Sequence, residues 1–257
     1  MRFCLVVGVA IAAVTAMTTV PAGADWSPGD GSKMHFPQMP DLDGWDVQAY
    51  SPLVLADDWR CTGSGPITDI HFWGSWKGGN TGQIESFSIN IYSDDPVGPG
   101  GSDPANSYSK PDLLLWEGEF FDFGVVPVDP PTMQGWYNPA TGMALPGDHQ
   151  SFFQYNLVDI PNPCLQVAGE IYWLSISANV LTGQWGWKNA DLDQYPQPYT
   201  GMHFLDDAVW RNLGTGWQEL IDPLDFHSLD LAFVITPEPM TFVLLASGGL
   251  LLLRRRR

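Results

Sequence analysis

In two stretches of this chain the apolar residues recur at every second position, and these and other short β-branched and aromatic runs are bounded by turn residues such as Gly and Pro. Over 85–92, Phe87, Ile89 and Ile91 fall on one face while Ser86, Ser88 and Asn90 fall on the other, the pattern of a half-buried strand. The same alternation over 170–180 aligns Tyr172, Leu174, Ile176 and Ala178. Further strands are expected over 67–76, 113–123, 152–157 and 229–235, and no stretch of useful length outside the two ends keeps a helical period. Nine or so strands in a chain with 27 Gly and 22 Pro predict an all-β fold, a single β-sandwich or jelly-roll-like domain. A length of 257 residues suits one large sandwich. The domain is expected over 53–236, behind an extended Pro/Gly/Asp-rich lead-in at 25–52. Long turn-rich loops are expected over 93–112 and 135–150.

The ends read differently. Met1 and Arg2 form a small basic region, 3–20 is almost unbroken apolar sequence, and Ala22-Gly23-Ala24 places small residues where a signal peptidase cuts. Residues 1–24 are therefore expected to be a signal peptide, with Asp25 as the first mature residue and an exported destination. Cys4 leaves with that peptide. In an oxidising compartment the remaining pair, Cys61 and Cys164, is expected to form a disulfide. Closing a loop of that length is worth up to about 4.7 kcal/mol by chain-entropy arguments.

Residues 25–236 carry 28 acidic side chains against six basic ones. Such a surface repels phosphate backbones and anionic lipid, which argues against nucleic acid as a partner. Neutral glycans and divalent cations remain compatible with it, and the simplest reading of the charge is solubility.

At the C-terminus Pro237-Glu238-Pro239 precedes the apolar stretch 240–253, and Arg254, Arg255, Arg256 and Arg257 close the chain. The arginines hold that end on the cytoplasmic side, so what precedes the stretch lies outside. At about 1.5 Å per residue the stretch would span roughly 21 Å, short of a ~30 Å hydrocarbon core. A marginal C-terminal transmembrane helix of this kind suits a temporary anchor. These three parts in this order resemble the PEP-CTERM sorting signal of Gram-negative bacteria, over 237–257. That resemblance implies processing by an exosortase near Pro-Glu-Pro, transient membrane anchoring, and delivery to the cell surface or the extracellular polysaccharide matrix. The runs Leu55-Ala56-Asp57-Asp58-Trp59-Arg60-Cys61 and Ile67-Thr68-Asp69-Ile70-His71-Phe72-Trp73-Gly74-Ser75-Trp76 also resemble an uncharacterised secreted β domain found ahead of such tails.

Candidate chemistry is sparse. Asp94, Asp95 and Asp103, and separately Asp191 and Asp193, offer the oxygen ligands that Ca²⁺ prefers, without the EF-hand spacing; solvated turn carboxylates are the plainer reading. Twelve tryptophans, among them Trp73, Trp185, Trp187 and Trp217 beside glycines, could stack on sugar rings or fill a core, and tryptophan is buried on average. Glu117 and Glu119 share a strand face at a separation near that of a retaining glycosidase pair, and Asp122 follows. Gly-x-Ser-x-Gly, His-Glu-x-x-His and P-loop signatures are missing, and His35, His71, His149, His203 and His227 have no metal-ligand spacing. The expectation is a non-catalytic, cofactor-free surface or matrix protein touching exopolysaccharide. A secreted glycosidase and a calcium-dependent adhesin are the rivals.

Overall fold

The structure, a computed structural model, describes residues 25–102, 105, 107–202 and 207–236. It is all-β and sandwich-like. Its strands are β1 (Trp45–Gln48), β2 (Leu53–Arg60), β3 (Gly65–Pro66), β4 (Asp69–Trp76), β5 (Gln83–Asp95), β6 (Lys110–Phe120), β7 (Gly124–Pro127) and β8 (Gln134–Asn138). They continue as β9 (Met143–His149), β10 (Phe152–Leu157), β11 (Leu165–Gln166), β12 (Ile171–Thr182), β13 (Trp185–Lys188), β14 (Val209–Asn212), β15 (Gln218–Glu219) and β16 (Phe233–Thr236).

One sheet has eight strands, in the order β7-β10-β4-β13-β1-β8-β9, with β16 beside β13 on the same edge of β4. The other has six, β15-β14-β2-β12-β5-β6. The core lies between them. Phe72, Tyr155, Trp185 and Trp187 from the larger sheet and Trp59, Phe87, Leu174 and Ile176 from the smaller are all buried. Their rings meet mostly edge to face, as the aromatic quadrupole favours: Phe87 and Trp185 at 5.1 Å between centroids, Phe72 and Phe87 at 5.0 Å.

The related runs Trp73-Gly74-Ser75-Trp76 and Trp185-Gly186-Trp187 are antiparallel neighbours, with Trp185 opposite Trp76 and Trp187 opposite Gly74. Glycine is needed there. A Cβ on Gly74 would run into the Trp185 ring and the Gly186 carbonyl, so the small residue makes room for the large one across the ladder.

Four expectations need correction, three of them in the strands and loops. Residues 25–52 are more than a lead-in: Trp26, Met34 and Phe36 are buried, and β1 is an interior strand, antiparallel to β13 and parallel to β8. The four residues of β1 are too short a run to show a period, and both its partners come from far along the chain. Residues 135–150 are largely the β8–β9 hairpin, whose turn Gly and Pro residues concealed the pairing. The long acidic loop is shorter than expected, because β5 runs on to Asp95 and β6 starts at Lys110.

The disulfide expected between Cys61 and Cys164 is not formed: both are free, buried thiols. The β3–β11 ladder brings their segments together, with Ile67 N–H donating to the Cys164 carbonyl at 2.9 Å. Burial raises both thiol pKa values, which works against the reactive thiolate. No helix among the described residues is long and apolar enough to cross a membrane. The signal peptide at 1–24 and the tail, with Pro237, Glu238, Pro239 and Arg254 to Arg257, lie outside the described residues.

Candidate functional site

At one end of the sandwich, loops gather into an open cleft of about 690 Å³. Its walls carry Asp41, Asp43, Asp191, Asp193, Asp222 and Asp225, with Asp230, Trp45 and Asn189 among the remaining lining residues. Two identical triplets, Asp41-Leu42-Asp43 ahead of β1 and Asp191-Leu192-Asp193 after β13, meet here because β1 and β13 are paired. Asn189 fastens them: its side-chain oxygen accepts from Trp45 N–H at 2.6 Å and its amide donates to Asp41 at 3.3 Å. A Cβ on Gly44 would collide with both Asn189 and Asp41, so this close approach requires glycine.

Most of these carboxylates also shape their own loops. Asp191 accepts from Asp193 N–H and Gln194, Asp225 from His227 N–H, and Asp222 from Leu224 and Asp225 N–H groups. Asp222 also receives Trp45 Nε1–H at 2.7 Å, which ties the 222–230 loop to the sheet. Burial raises the Asp41 pKa, against the opposing effect of its backbone hydrogen bond from Asp43. Behind the cleft, Tyr195 donates to Asp230 at 2.9 Å, and Asp57 is held by Leu231 N–H at 2.6 Å and Gln38 at 3.3 Å. Asp57 is fully buried, and that burial, reinforced by the Asp230 charge, pushes its pKa well above the carboxylate range.

The other candidates are scattered. Asp95 pairs with Lys110 at 3.2 Å and caps its own loop through Ser102, whose hydroxyl is the main cause of its lowered pKa. Asp94 accepts from Trp173 Nε1 at 2.8 Å. Both carboxylates thus serve donors of this chain; Asp103 and His203 lie outside the described residues. Among the described residues no group of three or more His, Cys, Asp or Glu is arranged to hold a metal ion. Nine of the twelve tryptophans are buried, including Trp73, Trp185 and Trp187, and Trp217 lies half-buried under the Arg211 guanidinium at 4.2 Å. The ring stripe expected for sugar stacking is therefore mostly core. Glu117 and Glu119 are exposed on the edge strand β6, and Glu119 accepts from Ser86 at 2.8 Å and Asn179 at 3.2 Å. Glu119, Asp122 and the exposed Phe121 border a second cleft of about 580 Å³ that does not include Glu117.

The family profile described as a domain of unknown function, DUF7901, matches residues 34–236. The chain belongs to this family. The matched span contains every strand and every residue lining the acidic cleft, so the cleft is part of the family domain. No curated protein and no solved structure matches the chain.

Asp222, Asp225 and Asp230 escaped sequence reasoning, since their spacing fits no ligand motif and their loop joins the others through tertiary contacts alone. The repeated Asp-Leu-Asp triplet was the available signal.

Proposed function

We propose that this chain is an exported, non-catalytic surface or matrix protein of a Gram-negative-type bacterium. Its C-terminal tail passes it to an exosortase, and its acidic cleft binds a neutral polysaccharide. The observation behind the binding reading is the cleft: it is of ligand size, and its polar wall is made mainly of acceptors. Sugar hydroxyls are donors that such a wall can take without neutralising its charge, whereas an acidic polymer would be repelled.

Isothermal titration of the purified chain against neutral and anionic polysaccharides tests this. Binding confined to neutral polymers and weakened about tenfold, or ~1.4 kcal/mol, in Asp43→Ala or Asp193→Ala supports it. Absence of binding to every neutral polymer overturns it. Mass spectrometry of the secreted form tests the sorting: a chain ending near Pro237 is expected, and mature protein that still ends at Arg257 argues against processing. A glycosidase reading draws on Glu119 and Asp122 sharing one cleft. It requires release of reducing sugar that Glu119→Gln abolishes.

A further inference from the structure

Asp46 and Lys188 face one another in direct register across the β1–β13 ladder, and both side chains are fully buried. Lys188 Nζ stands 3.6 Å from Asp46 Oδ2, beyond hydrogen-bonding reach. Neither that nitrogen nor Asp46 Oδ1 has a hydrogen-bond partner among the described residues. Around them lie the Phe152 ring, 5.8 Å from Nζ, and Trp136, which sits opposite Asp46 on β8. One polar side chain does touch the carboxylate: His149 Nε2 lies 2.9 Å from Asp46 Oδ2, and its Nδ1 lies 3.0 Å from Asp148. Asp148 is itself fastened by Gly78 N–H.

As two ions this arrangement is poor. Both charges are removed from water while ammonium protons and a carboxylate oxygen go unpaired, so their mutual attraction and the one contact from His149 must offset the desolvation of both. As reactants the same groups are well placed: a nitrogen against a carboxyl, a proton carrier on the oxygen that has to leave, and aromatic walls that exclude water.

We infer that Lys188 and Asp46 join in an intramolecular isopeptide bond, formed by the folded chain itself. Lys188 Nζ, as the neutral amine, attacks Asp46 Cγ. His149, as imidazolium, delivers its proton to Oδ2; one proton leaves Nζ for the same oxygen, the Cγ–Oδ2 bond breaks, and one water departs. The products are a secondary amide and neutral His149, so atoms and charge balance with no oxidant or cofactor. Burial lowers the Lys188 pKa, against the opposing charges of Asp46, Asp41 and Asp43, which favours the amine. Burial also works against a charged His149, but its hydrogen bonds and charge interactions with Asp46 and Asp148 outweigh it and the net shift is upward. Asp148 acts as a positioning residue through His149. The amide replaces two buried charges by a neutral group and ties the first strand of the sheet to β13.

The full chain, folded, then denatured and digested with trypsin, tests the bond. With it, cleavage after Lys188 is blocked, and segment 34–60 emerges joined to segment 78–211, lighter than the two together by one water. Asp46→Ala should release 34–60 and restore cleavage after Lys188. In His149→Gln, linkage after refolding should slow by at least about 100-fold; linkage at the wild-type rate would remove His149 from the reaction. Free 34–60 and complete cleavage after Lys188, from wild-type protein that melts cooperatively, would overturn the bond.

Discussion

The two sheets bury one face each against the other, yet their far faces have opposite fates. On the eight-stranded sheet the far face is covered: Trp26 exchanges two hydrogen bonds of 2.9 Å with Gln154 and packs edge-on against Trp73 at 6.2 Å. Asp46, His71, Gln154, Asn156 and Lys188 lie buried there. The six-stranded sheet buries less of its outer face: Ala56, Tyr92, Trp173 and Val209 form a small apolar cluster there with Asp58 and Ser175 buried beside it, and its edge strand β6 leaves Leu113, Leu114 and Leu115 about half exposed or more. An aspartate and a lysine therefore mean different things on the two sides. Under cover they are costly and chemically poised; in the open they are solvated and exchangeable.

The largest expected effect lies where the two sheets share a core. Trp187 is fully buried, donates from Nε1 to the Ala232 carbonyl at 2.9 Å and packs on Phe233. Trp187→Ala should cost about 3–5 kcal/mol, read from urea unfolding. The contrast itself is tested at two aspartate–lysine contacts, one covered and one nearer the solvent. Asp46→Ala removes the bond to Lys188, strands that amine in the covered face and should cost about 3–5 kcal/mol, whereas Lys110→Ala, which takes a partly exposed lysine from an Asp95 still held by Ser102, should cost about 1 kcal/mol or less. Equal losses would mean that cover does not set the value of a charge here.

A third test uses acid. His35, in the segment leading to β1, accepts from Arg60 N–H, and burial together with the Arg60 charge lowers its pKa to about 3. The imidazole is neutral when folded and takes up a proton on unfolding. Its contribution is thus present above the unfolded value near 6.5 and is lost as pH falls toward 3. Asp57 runs the opposite way, since its raised pKa makes stability fall as pH rises above the ordinary carboxylate range. Urea midpoints for His35→Gln should show a pH slope flatter than wild type by at most about 1.4 kcal/mol per unit between those limits; an unchanged slope would contradict a neutral, buried His35. The smallest effect belongs to the open edge. Leu113→Lys with Leu115→Lys should change stability by no more than about 0.5 kcal/mol while reducing light scattering at high protein concentration.

How far these features could be read in advance depended on where their partners lay. The alternations of β5 and β12 were legible because their core-facing residues are apolar and most of the residues between them polar, which writes a period of two into the sequence. β1 was not: Trp-Asp-Val-Gln alternates for only four residues, too few to mark a strand, and nothing in it shows that Asp46 and Gln48 are buried as well. Nor was the acidic cleft, where Asp41, Asp191 and Asp222 meet only because β1 pairs with β13 and Trp45 reaches Asp222.

By itself, then, the sequence determined the fold class, the strong negative charge, and the two ends that argue for export and sorting. These follow from local periodicity and composition, which each segment carries regardless of its neighbours. The tertiary structure alone decided which charges were covered. It set Asp46 against Lys188 and His149 and collected the aspartates of three distant loops at one end, because burial and proximity belong to pairs of segments and to no single one.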